Sequence, residues 1–132
     1  MRTWHINLIL GAFLLAAFPV LAGQTQPVPK YDLATEVNLK GTITDISDRN
    51  CPISGTMGFH FVLKMEDGKT IEVHVAASRF MKDYGLALNK GDEIRVIGSK
   101  VKFGGTDTIL AREVTRGEEV FVFRDKTGKP AW

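Results

Sequence analysis

Apolar residues recur at every second position over several short stretches of the chain, the period of a strand with one buried face. The first runs from Val37, where Val37, Leu39, Gly41 and Ile43 alternate with Asn38, Lys40, Thr42 and Thr44. Gly41 in its middle suggests a bend or bulge, as a strongly coiled strand needs. A stretch from Ser47 to Met57, punctuated by Asp48, Asn50, Pro52 and Gly55, then reads as a long loop.

The clearest pattern follows, Gly58-Phe-His-Phe-Val-Leu-Lys-Met65, a turn Glu66–Lys69, and Thr70-Ile-Glu-Val-His-Val-Ala76. It predicts a β-hairpin in one of two registers. A two-residue Asp-Gly turn sets Phe61 opposite His74 and mixes polar and apolar side chains on both faces. A three-residue loop with Gly68 left-handed pairs Met65 with Lys69, Leu63 with Ile71, Phe61 with Val73 and Phe59 with Val75. That register collects an apolar face, so burial favours it. The opposite face then carries His60, Val62 and Lys64 against His74, Glu72 and Thr70.

Beyond the hairpin the period changes. Phe80, Met81 and Tyr84 are spaced as one face of a short helix over 77–84, with Ser78 placed to cap it and Gly85 to end it. That face is expected to plug one end of the core. Strands are predicted at Glu93–Val101 and Thr108–Val114, joined through Phe103–Asp107, and a last extended segment at Glu119–Arg124. Asp125–Gly128 turns the chain toward Trp132, which is expected to pack over one end. Short strands without long crossover helices point to an all-β class: a five-stranded OB-fold barrel with a short helix between strands three and four and an extra C-terminal strand.

The N-terminus departs from this pattern. Arg2 and His5 precede the apolar run Ile6–Phe18, and Val20 and Ala22 fit the small-residue positions of a cleavage site, so residues 1–22 read as a signal peptide. An uncleaved anchor is the alternative; Asn7, Gly11 and Pro19 interrupt the run. Residues 23–30, with Pro27 and Pro29, form a flexible lead-in, and residues 31–132 the domain. The expected location is periplasmic or secreted, without stable membrane insertion after cleavage.

At 132 residues, 44% hydrophobic and 24% charged, the chain suits one small domain. Losing the leader removes only Arg2 of the 17 Lys and Arg, so 16 cations face 15 acids. So balanced a domain has no general pull toward nucleic acid or anionic membrane.

Cys51 is the chain's one cysteine, so in an oxidising compartment it has no intramolecular partner. It can be buried, bridge a homodimer, or act as a ligand. His60 and His74, directly opposed in the favoured register, place their Cβ atoms about 4.5–5.5 Å apart, close enough to share a metal ion. Imidazole suits zinc, copper and nickel, and a thiolate adds affinity for Cu(I) and Zn, so His60, His74 and Cys51 form a candidate Cu or Zn site, with Met57 and Glu72 as further donors. Two solvated strand histidines are the plainer explanation. No Cys-x-x-Cys, HExxH, phosphate loop or Ser/His/Asp arrangement is visible, so catalysis is not expected.

The segments Tyr31-Asp32, Thr35-Glu36-Val37, Lys40-Gly-Thr-Ile43, Gly58–Lys64, Glu72-Val-His-Val75, Lys90–Val96, Gly98-Ser99, Ala111–Val114 and Arg124–Trp132 resemble small exported bacterial OB-fold proteins, and more distantly the periplasmic OB-fold proteins called BOF. The resemblance implies the barrel and an exported location. OB-folds commonly bind ligands across the outer face of strands two and three. On that analogy His60, Lys64, Glu72, His74 and Phe103 are the candidate ligand-binding residues, for an exported protein, glycan or small molecule. Nucleic acid, which wants aromatic platforms and a basic groove, fits less well, because Phe59 and Phe61 fall on the inner face.

Overall fold

One long strand, β1 (Glu36–Cys51), pairs on both sides and organises the rest of the sheet. The computed structural model describes Gly23 and residues 26–132; the expected signal peptide, residues 1–22, lies outside the described residues. After a 3-10 turn at Leu33–Thr35 and β1 come β2 (Thr56–Met65), β3 (Thr70–Ala77), α1 (Ser78–Asp83), β4 (Glu93–Phe103), β5 (Thr106–Arg116) and β6 (Glu119–Val122). The strand order is β3-β2-β1-β4-β5-β6, and β3 also pairs with β5 in parallel, Glu72 with Thr108 through His74 with Leu110. That last pairing closes the sheet into a ring, which protects strand edges that would otherwise be open.

The first half of β1 pairs with β4 and the second with β2, and a bulge between Ile43 and Asp45 bends the strand between them. Gly41 sits where the two pairings meet, and a Cβ there would lie 2.3 Å from the Lys64 carbonyl oxygen. The expected long loop over 47–57 is therefore corrected. Ser47–Cys51 continues β1, and only Pro52–Gly55 turns, with Gly55 at φ +73°. Asp48, Arg49 and Asn50 read as loop residues because they are exposed on the ladder.

The β2–β3 hairpin has the three-residue loop. Met65 N–H donates to Lys69 O and Gly68 N–H to Met65 O, both at 2.9 Å, with Gly68 at φ +82°. Leu63 faces Ile71, Phe61 faces Val73 and His60 faces His74. A second bulge, between Phe59 and His60, sets Phe59 against Ala76 and not Val75. Inside the ring Ile43, Phe61, Leu63, Val73, Val75, Val96, Ile109 and Val114 pack with Phe123. Each such side chain contributes roughly 1.5–3 kcal/mol on leaving water.

The helix closes one end of this core through buried Met81, with Phe80 packed against it, and ends at Gly85 (φ +60°). Tyr84 is not part of the plug; it is 70% exposed and rests on Phe80. Ser78 does not cap the helix either: its hydroxyl donates to the Asp48 carboxylate, and Ala77 holds the cap position. At the C-terminus the Asp125 carboxylate accepts from the N–H groups of Thr127 and Lys129, folding the chain back so that Arg124 bridges Pro130 and Trp132 reaches the core margin. Among the described residues no helix is long and apolar enough to cross a membrane.

Candidate metal centre

The end of β1, the middle of β2 and the middle of β3 meet at one point. Cys51 is the last residue of β1, held there by pairing with Thr56 across the turn, and β2 and β3 bring His60 and His74 face to face. One potential donor atom from each of the three lies within 4.8 Å of the others. The imidazoles meet edge to face, 4.4 Å between centroids and 86° between planes.

This face of the hairpin is covered. His60 is 1% exposed, His74 6% and Cys51 6%. The Phe103 ring stands edge-on to His74 at 5.9 Å. Arg124 and Trp132, with Ile53 and Ser54, help line a cavity of about 10 Å³ beside the three side chains. That is room for about one water-sized body, not for an organic substrate. A disulfide to a second chain through Cys51 would require this cover to open.

The hydrogen bonds aim the donors at each other. His74 Nε2–H donates to Glu72 Oε1 at 2.9 Å, which leaves Nδ1 toward Cys51 Sγ at 3.3 Å. The same Glu72 oxygen is also paired with Arg49. A carboxylate behind a histidine fixes its tautomer and ring orientation and raises its basicity, as is usual around metal ions. His60 Nδ1 is buried without a hydrogen-bond partner among the described residues, an orphan that a bound ion or water would satisfy. Burial pushes the Cys51 thiol up, but the neighbouring His60 and His74 side chains and the backbone N–H groups of Ser54 and Ile53 outweigh it and hold the thiol down at about 5. That shift favours the thiolate, the form that binds metals. A buried thiolate with two imidazoles suits a soft or borderline ion.

Gly58 keeps the space open. A Cβ there would lie 2.6 Å from Ser54 Oγ, 3.0 Å from Cys51 Cβ and 3.2 Å from His60 Cε1. The remaining sequence candidates fall elsewhere. Lys64 is exposed and lines a separate groove with Lys40 and Glu93, while Met57 is exposed and outside the cluster. Phe103 touches the site only through His74. Gly58, Ser54, Arg124 and Trp132 join the site only through the fold, and no sequence pattern ties them to His60 and His74.

The family model described as the MamS/MamX magnetosome protein family matches residues 35–121, a span that contains Cys51, His60 and His74. A search of curated proteins finds no match.

Proposed function

The chain belongs to the MamS/MamX magnetosome protein family, and on that premise we propose that it is an exported, non-catalytic module that binds one soft transition-metal ion, Cu(I) or Zn(II). Cys51, His60 and His74 hold the ion, and Glu72 orients His74. The observation that carries this reading is the mutual approach of three buried donor atoms within 4.8 Å. Cu(I) is satisfied by few, soft ligands; Zn(II) normally takes four, so a water would complete its shell. The barrel is an OB-fold on this reading, supported by the parallel β3–β5 closure and the helix between β3 and β4, and akin to the BOF proteins. Export rests on the leader pattern of residues 1–22, and the place of action is the magnetosome, by family membership.

The test is a titration of the mature protein with Cu(I), in anaerobic reducing buffer against a chromophoric chelator, and separately with Zn(II). One equivalent should bind, and Cys51→Ser, His60→Gln and His74→Gln should each weaken it. A His60→Ala/His74→Ala double variant that binds as tightly as the wild type would contradict the assignment.

A further inference from the structure

We infer that the groove between the Val28–Tyr31 segment and the Thr127–Pro130 turn binds a small oxyanion, the carboxylate or phosphate group of a soluble molecule, on the Arg124 guanidinium. The inference does not rest on the metal reading, although Arg124 also lines the small cavity beside Cys51, His60 and His74. The chain treats its other half-buried arginines differently. Arg112 is paired with Glu36 and Glu113, and Arg116 with Asp92 and Glu119. Arg124 is more buried than either, at 5% exposure, and has no carboxylate partner among the described residues. Its Nη1 donates to the Gly128 carbonyl at 2.9 Å, and its Nε has no partner. A charge taken out of water is costly unless an opposite charge and satisfied hydrogen bonds compensate it. The neighbours supply neither in full.

What they supply is rigidity. The guanidinium carbon lies 4.9 Å from the Trp132 ring centroid and 5.5 Å from that of Tyr31, so the group is held against two aromatic rings. Gly128 (φ +88°) approaches Tyr31 so closely that a Cβ would come within 2.3 Å of its ring, which fixes the carbonyl that orients Nη1. A guanidinium held in place with donors left unpaired is the group that takes carboxylate or phosphate oxygens.

The space beside it fits such a ligand. Arg124 lines a groove of about 410 Å³ whose other charged lining residues are Lys30 and Lys129, with no acid among them. That volume is within the usual range for small-molecule sites, and three cations of one sign concentrate anions there. Burial lowers the guanidinium's affinity for its proton, against a smaller opposing contribution from Tyr31.

The experiment follows the Arg124 Nε–H resonance of the wild-type, metal-free protein while inorganic phosphate, or citrate in a second series, is added against sodium chloride of matched ionic strength. A saturable shift of this resonance in the millimolar range or below is expected, and whichever series saturates at lower concentration identifies the oxyanion. The Lys30→Ala/Lys129→Ala variant, which removes only exposed side chains, should weaken that binding at least several-fold while the rest of the spectrum is retained. Shifts that never saturate, or that sodium chloride reproduces, would overturn the inference, as would a lysine variant that binds like the wild type. Because the primary readout is in the unmodified protein, a poorly folded Arg124→Met variant would not obscure the answer.

Discussion

Replacing Glu72 by Gln removes the charge behind His74 while keeping the shape of the side chain and an oxygen able to accept from Nε2–H. In the structure this carboxylate holds His74 at 2.9 Å so that Nδ1 faces Cys51. Removing such an orienting partner typically weakens metal binding about 10- to 100-fold, or roughly 1.4–2.7 kcal/mol. Glu72→Gln should sit near the ten-fold end, because the hydrogen bond survives and only the charge is lost. Glu72→Ala loses both and should approach a hundred-fold. The fold should tolerate either change, since the half-exposed Arg49–Glu72 pair stabilises it by only about 0–1 kcal/mol. Arg49→Ala is the control: it leaves the His74 contact in place and should leave affinity unchanged or tighter. Chelator competition at one fixed pH gives the dissociation constants of the wild type and the three variants. Wild-type affinity in both Glu72 variants would refute the idea that this carboxylate prepares His74 for a metal.

Gly58→Ala should press a methyl group onto Ser54 Oγ and Cys51, destabilising the protein by about 1–3 kcal/mol in urea unfolding and weakening metal binding in the same competition assay. Phe61→Ala empties a fully buried position and should lower unfolding free energy by about 3–5 kcal/mol. Hydrogen bonds from Arg112, and then from Tyr31, hold the Glu36 carboxyl below its usual range. Its contribution to stability is therefore present above the unfolded glutamate value of about 4.3 and lost as pH falls through the lower folded value. Urea unfolding at successively lower pH should show this loss, and Glu36→Gln should flatten it. Tyr31 is shifted the other way, to about 12, by burial first and then by its hydrogen bond to Glu36. Stability from that neutral phenol is complete below about pH 10 and lost as pH rises through the folded value. Ultraviolet titration in a Tyr84→Phe background should place the midpoint near 12.

The hairpin was the most legible part of the chain, because only one register of β2 and β3 gathers Phe61, Leu63, Ile71 and Val73 on one side, and Gly68 supplies the left-handed turn residue. His60 opposite His74 followed from that register. Cys51 was harder to place. Its position depends on β1 running on through Asp48–Asn50, whose polarity is that of an exposed strand stretch and imitates a loop. The bulge between Phe59 and His60 adds one residue that alternation cannot announce. Burial of the histidines was illegible for another reason. Their cover comes from Phe103, Arg124 and Trp132, brought in by tertiary folding from far along the chain. Ser78 shows the same override on a small scale, since Asp48 of β1 takes the hydroxyl that local sequence assigns to a helix cap.

X-ray absorption spectroscopy of the metal-loaded protein tests the central claim most directly. For Zn(II) the account predicts one sulfur at about 2.3 Å and two imidazole nitrogens at about 2.0–2.1 Å, with the sulfur shell absent in Cys51→Ser. A first shell of nitrogen and oxygen alone in the wild type, or a sulfur shell that survives Cys51→Ser, would contradict it.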